Sequence, residues 1–380
     1  MYGGLYFCNL LTIISITHGI NARITNTYNP ITKTMKKLFT VFNLFITVAV
    51  LGGLTSCRKY PSYATTSVTR NIPTEWTKIA ALPADEKFTV LETSANTVYA
   101  ASASGKVYSS SDTGSTWSAS AIVKQGTVIT ALAIFGNNIY VGTGVDGVFV
   151  SGNGGQSWTK QADVDEISSF TIWNNNLYLS AFDPVSPSGG VMVLNQSAGT
   201  WSAFNGNGLP SNYDYSVAKI IGVNQKIVSI RGVNGFFYSY DGNAGQWNQA
   251  DYAAPHRIMT MQDLVYDQNT LLASSGKLLF NSANAGATWA VDTVGLPAEP
   301  VTVSFLPKTR VLYSINGQCY VVSNVTGGAY IQQRNISSPV GTSWATHNDV
   351  LQFSGLAYSM CALNNVLYLA TDGGLYYKKV

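Results

Sequence analysis

The sequence predicts an all-β fold, a seven-bladed β-propeller, and three observations carry that prediction. A turn-rich stretch ending in tryptophan returns at intervals in the forties, short apolar strands fill each interval, and the strand missing from the last interval is found near the front of the chain. Composition agrees. The 380 residues are 46% hydrophobic, 12% aromatic and 11% charged, with 35 glycines, which suits tight turns between apolar strands and argues against disorder.

In chain order, the first 56 residues read as an address. "MKKLFTVFNLFITVAVLGGLTSC", from Met35 to Cys57, sets two lysines before a long apolar run, then small residues and a cysteine. That order is the order of an export signal. Leu54, Thr55, Ser56 and Cys57 resemble a bacterial lipobox, which implies cleavage before Cys57 and lipidation of its thiol. The alternative is a plain transmembrane anchor, because Leu38 to Leu54 is close to spanning length. Residues 1–34 precede a complete signal and read as an overextended leader; 35–56 read as the lipoprotein signal peptide, 57–73 as a tether and 74–380 as the propeller. The expected partner of Cys57 is therefore a membrane and the expected location the cell envelope. "CRKYPSY" has no aspartate after the cysteine, which favours the outer membrane.

The net charge of +3 comes from this leader. Four of the 22 Lys and Arg lie in residues 1–56 and none of the 19 acids does, so the remainder is nearly neutral. No basic stripe remains to track a phosphate backbone, so nucleic acid is not an expected partner. Of four cysteines, Cys319 and Cys361 fall in apolar strand-like runs and are expected to behave as small buried hydrophobes. A disulfide between them is the alternative in an exported protein.

The repeat starts with "SSSDTGSTW", ending at Trp117, and continues as "VSGNGGQSW" at Trp158 and "FNSANAGATW" at Trp289. Looser copies end at Trp201 and Trp247, and "SNVTGGAY" reads as a decayed copy ending at Tyr330. Before each turn stands a strand of the type "NTVYAAS", "NNIYVGT", "RVLYSIN" or "NVLYLAT", and a glycine-led strand follows it. Upstream lies a further apolar run, such as "FTVLETS", "ITALAIF" or "VTVSFLP". Seven such units are counted. The last ends at "GGLYYKKV" without its fourth strand, and "EWTKIAAL", from Glu75 to Leu82, matches the strand after Trp158. An N-terminal strand completing the last blade closes the ring and removes an open sheet edge.

The turn resembles the Asp-box, or BNR repeat, of the sialidase-like superfamily. Ser110, Asp112, Gly114 and Trp117 match it, as do Ser151, Asn153, Gly155 and Trp158, and Ser282, Asn284, Gly286 and Trp289, with Asn for Asp in the last two sets. An Asp or Asn side chain closes such a turn on nearby N–H groups, glycine supplies positive φ, and tryptophan fills the space between blades. The resemblance implies that this turn joins the outer two strands, away from the ligand face. It is read as a structural corner.

That resemblance spans sialidases, other glycosidases and binding proteins, and a shared fold does not transfer activity. A sialidase would need three arginines, a tyrosine nucleophile with a glutamate, and an acidic proton donor. Here "RNIP", from Arg70 to Pro73, carries an inserted Asn71, and the other arginines, Arg58, Arg231, Arg257, Arg310 and Arg334, have no recognisable triad context. Other glycosidases need paired carboxylates; the loop acids offering them are Asp183, Asp214, Asp251 and Asp349, with Asp214 and Asp349 the weak catalytic candidates. His256 and His347 lack metal-ligand spacing, so neither a metal nor another cofactor is expected.

Binding has more to work with. Long inserts at 182–190, 205–216, 251–262 and 337–355 are expected on the ligand face of blades three to seven. They bring Tyr213, Tyr215, His256, Arg257, Trp344 and His347, joined by Arg231, as candidate ligand contacts, since aromatics beside a few polar groups suit a glycan or a protein surface. Each has a plain structural reading too: Trp344 packing its own loop, His256 ending a turn after Pro255. Two function classes follow from the sequence: a lipid-anchored envelope propeller that binds glycan or protein, and an exo-sialidase-like glycoside hydrolase using loop carboxylates.

Overall fold

The computed structural model describes residues 72–181, 190–204, 217–231, 237–252, 261–276, 278–297, 310–344 and 348–380. The expected leader, signal peptide and lipidation site at Cys57 lie outside the described residues. A short strand, β1 (Thr77–Lys78), comes first. Blade one is β2 (Phe88–Ser94), β3 (Thr97–Ser102), β4 (Val107–Ser110) and β5 (Ser118–Ala119). Blade two is β6 (Ile129–Phe135), β7 (Asn138–Thr143), β8 (Val148–Ser151) and β9 (Thr159–Ala162). Blade three is β10 (Ile167–Trp173), β11 (Asn176–Ala181), β12 (Gly190–Asn195) and β13 (Thr200–Ala203). Blade four is β14 (Val217–Val223), β15 (Lys226–Arg231), β16 (Phe237–Asp241) and β17 (Gln246–Gln249).

The chain then lays β18 (Asp251–Tyr252) parallel to the outer edge of blade five. That blade is β19 (Met261–Asp267), β20 (Thr270–Ser275), β21 (Leu279–Ser282) and β22 (Thr288–Val291). Blade six is β23 (Arg310–Ile315), β24 (Gln318–Val325), β25 (Gly328–Asn335) and β26 (Asn348–Gln352). Blade seven is β27 (Ala357–Leu363), β28 (Val366–Thr371) and β29 (Gly374–Lys379), with β1 as its fourth strand. The closure expected from sequence is present: β1 pairs antiparallel with β29, Thr77 opposite Tyr377. The Ile79 N–H extends the pairing onto the Leu375 carbonyl at 2.8 Å.

Strands form where β-branched and aromatic residues run between turn residues, and the first hairpin of several blades turns on two residues of positive φ. Asn174 with Asn175, Gln268 with Asn269, and Asn364 with Asn365 are such pairs, matching the right-handed twist of the strands they join. The core is divided among the junctions between blades. Each of seven buried clusters draws on two neighbouring blades, and each includes or packs against one tryptophan at the start of a fourth strand: Trp117, Trp158, Trp201, Trp247, Trp289, Trp344 and Trp76. Trp289 lies flat on Phe237 of the preceding blade, with ring centroids 4.0 Å apart. Cys319 and Cys361 are free, buried, and in different clusters.

Blade six corrects the sequence reading. "RVLYSIN" is expected second in its unit, yet β23 is the innermost strand, hydrogen-bonded on one side to β24 and lying between the innermost strands β19 and β27. "VTVSFLP" lies outside the described residues. "SNVTGGAY" spans the hairpin of β24 and β25, eight residues each, so Tyr330 is not a repeat tryptophan's replacement. The turn between third and fourth strands is instead the one ending at Trp344. It keeps Ser337, Gly341 and Ser343 at the repeat positions and has Pro339 where Asp stands in blade one. Two lengthened strands displace this copy from the period, which hides it.

Candidate functional site

Blade geometry fixes which face is which. In an up-and-down sheet the innermost strand starts on the face that carries the links between blades and the second-to-third loops. The third-to-fourth turns lie on the opposite face. The Asp-box turns therefore sit away from the starts of β2, β6, β10, β14, β19, β23 and β27.

The turns are hydrogen-bonded corners. In blade one the Asp112 carboxylate accepts from the N–H groups of Ser115 and Thr116 and from the hydroxyls of Ser110 and Thr116, at 2.6–3.0 Å. Burial pushes this carboxyl up, but the donors from Thr116, Ser110 and Ser115 outweigh it and hold the group at about 2. Asn153 and Asn284 accept the equivalent N–H bonds from Ser157 and Thr288. Gly114, Gly155 and Gly286 have φ of 81°, 86° and 82°, a conformation that disfavours any side chain. In blade six Gly341 has φ of 87°, and Asp292 of the preceding blade accepts its N–H in place of the repeat serine. Asp292 also pairs with Arg334, whose guanidinium lies 4.0 Å over the Trp344 ring.

At the other end, six innermost strands carry a β-bulge at their second residue: Thr89, Thr130, Ser168, Ala218, Gln262 and Tyr358. A bulge turns its side chain out of the pleat, and bulges recur beside functional sites. Here three of them latch neighbouring blades. The hydroxyls of Thr89, Thr130 and Ser168 donate to the carbonyls of Ile129, Ile167 and Val217 at 2.6, 2.6 and 2.8 Å. Lys219 continues the ring to Asp263 at 2.6 Å, and the Asp263 carboxylate accepts the Leu312 N–H at 3.0 Å. Asn324 bonds both backbone groups of Ala357, and Ser359 accepts the Leu91 N–H, which completes the circle.

Inside this circle is a cavity of about 410 Å³, lined by Thr89 to Glu92, Val128 to Leu132, Ile167 to Phe170, Lys219, Tyr358 and Ser359. Its volume falls in the range of small-ligand sites. Two charged side chains line it, Glu92 and Lys219. Lys219 is 24% exposed and its partner Asp263 1% exposed, so the ion pair is held mostly inside the protein. Burial pushes the Glu92 carboxyl above its ordinary 4.5, against the opposing pull of the Thr93 N–H and the Lys219 charge. Val128 stands 43% exposed at the cavity wall.

The sequence candidates fall elsewhere. Trp344 is fully buried in the junction of blades five and six, with Nε1 donating to the Asp292 carbonyl at 2.9 Å, so it has no surface to offer a ligand. The turn carrying it joins third and fourth strands and so stands on the Asp-box face, not on the opposite face where the sequence reading expects it. Asp349 is in the outermost strand β26, paired with Lys378, and does not line the cavity. Arg231 ends β15. Tyr213, Asp214, Tyr215, His256, Arg257 and His347 lie outside the described residues. Sequence reasoning missed Glu92, Lys219 and Asp263. The signal was present: each is a charged residue within an innermost strand, in "FTVLETS", "VAKIIGV" and "MQDLVYD". Among the described residues, no group of three or more His, Cys, Asp and Glu is placed to hold a metal ion.

Residues 53–176 match the family model of the DUF6242 beta propeller domain, about a third of the chain. No curated protein matches. Among solved structures, the chain is similar to the extracellular domain of BT4673 from B. thetaiotaomicron, described as a one component system. The identity is 13% and the TM-score 0.59, over 80% of this chain and 40% of that one. It is also similar to YCF48 from Cyanidioschyzon merolae, at 15% identity and TM-score 0.54, over 80% of this chain and 98% of that one. The structure of YCF48 bound to D1 peptide matches at 13% identity and TM-score 0.57, over 81% and 99%. At these identities the likeness is one of fold alone.

Proposed function

We propose that this chain is a lipid-anchored cell-envelope propeller that binds a ligand at the channel mouth on the face opposite the Asp-box turns. The cavity of about 410 Å³ inside the ring of innermost strands is the observation that carries this reading. It combines apolar walls with a few fixed polar groups, the usual make-up of a ligand site. The bulges at its rim support the reading, as does the similarity in fold to an extracellular domain and to YCF48 bound to D1 peptide. The lipobox-like Leu54-Thr55-Ser56-Cys57 supports the anchor, and "CRKYPSY", without an aspartate after Cys57, supports an outer-membrane address. Tyr213 and Tyr215 come shortly before β14 in sequence, and His256 and Arg257 shortly before β19; all four lie outside the described residues and are proposed as further contacts of the same ligand.

A glycosidase of the two-carboxylate type needs its pair set about 5–10 Å apart. Among the described lining residues Glu92 is the one carboxylate, so binding is the better-supported activity. The test is retention of the full chain on glycan and peptide arrays, compared with Val128→Trp, which fills the mouth from a half-exposed position, and Asn153→Ala on the opposite face. The expected result is retention by the wild type and Asn153→Ala and its loss in Val128→Trp. Equal retention by all three would reject the channel as the site. A shift to lower mass after globomycin-sensitive processing in the wild type, absent in Cys57→Ala, tests the anchor.

A further inference from the structure

We propose that the channel cavity takes a ligand carrying a primary ammonium group on an apolar body, held by the Glu92 carboxylate. This rests on the channel being a ligand site and names the chemistry that the site selects.

Four hydroxyls of the lining are already committed as donors. Thr89, Thr130 and Ser168 donate to carbonyls of the next blade, and Tyr358 donates to Asp372 at 3.1 Å. The lining cation is committed as well, since the Lys219 ammonium lies 2.6 Å from Asp263. Glu92 is different. One of its oxygens accepts the adjacent Thr93 N–H at 3.0 Å, and among the described residues no other donor reaches the carboxylate. Lys219 is ion-paired with Asp263, so Glu92 is the carboxylate of the lining with no ion pair of its own among the described residues, and Val90, Leu132, Ile167 and Phe170 supply apolar wall to the same cavity. A carboxylate facing apolar walls lacks the solvation water would give it, and a ligand ammonium restores that with a charge-assisted hydrogen bond. A carboxylate ligand would meet repulsion, and a neutral donor forms the weaker bond.

Other groups set the charge state of Glu92. Lys219 approaches from β14 and favours ionisation; Tyr313 from β23 and Cys361 from β27 interact with it across the junctions, and Tyr99 stands opposite on β3. Burial favours the neutral acid, so ammonium binding tightens as pH rises through the raised value of Glu92.

Calorimetric titration of the full chain in detergent tests this, with phenethylamine hydrochloride, phenethyl alcohol and hydrocinnamate as probes. The wild type is expected to bind the amine at least about tenfold more tightly than the alcohol. Hydrocinnamate is expected to be the weakest. Glu92→Gln is expected to remove that margin. A melting temperature for Glu92→Gln at or above that of the wild type verifies that the variant is folded. Equal affinity for amine and alcohol, survival of the margin in Glu92→Gln, or no saturable uptake of the amine at millimolar concentration each overturns the ammonium proposal. The channel reading is judged separately by Val128→Trp on the arrays.

Discussion

Trp344 shows how one residue can be read in two opposite ways. In sequence it stands in a long insert among polar residues, the setting of a binding aromatic. In the structure it is 0% exposed, under the Arg334 guanidinium and against Ile336 and Leu312 of its own blade and Leu279 of the preceding one. Removing such a side chain leaves a cavity that the rigid junction cannot fill. Trp344→Ala is expected to cost roughly 3–5 kcal/mol of stability, read as a lower denaturation midpoint, with ligand retention unchanged in the fraction that stays folded. A stable variant with weakened retention would return Trp344 to the binding face. The misreading has a physical origin. The Asp292 carboxylate does the serine's work in that turn, so the motif survives as geometry while its sequence has drifted.

Elements were more legible than their roles. The period, the blade count and the closing of blade seven by β1 could all be read because apolar alternation and turn chemistry are local properties of the chain. The matching of "EWTK" to "SWTK" even identified the right edge, since Trp76 occupies in blade seven the place Trp158 holds in blade two. Blade six was misread where β24 and β25 are longer than their counterparts, and periodicity alone cannot tell a longer hairpin from a shifted one. The bulges were not legible, because a register shift depends on the partner strand. The turns make their own prediction. The Asp112 carboxyl is depressed to about 2 from 3.8, so it stabilises the folded state above 3.8 and that contribution fades as pH falls from 3.8 towards 2. Asp112→Asn, which copies the residue at Asn153 and Asn284, is expected to lose stability relative to wild type at neutral pH and to match it near pH 2. Melting curves across that range check it; a constant difference would contradict the role given to the carboxylate.

At the scale of the whole molecule, two faces of one ring have separate work. Tryptophan-filled junctions and Asp-box corners hold the blades from outside, and hydroxyl latches with the Lys219–Asp263 pair hold them around the channel. Among the described lining residues this leaves Glu92 as the charged group with no ion-pair partner. The candidate site was legible only as a face. Its residues could not be picked out, because the seven innermost strands converge on the channel from positions far apart in the chain. The most direct measurement is hydrogen exchange of the full chain with and without phenethylamine at saturation. The account predicts added protection in 89–92, 128–132, 167–170 and 358–359, with the turns at 110–117, 151–158 and 282–289 unchanged. Protection at those turns, with none around the channel, would contradict it.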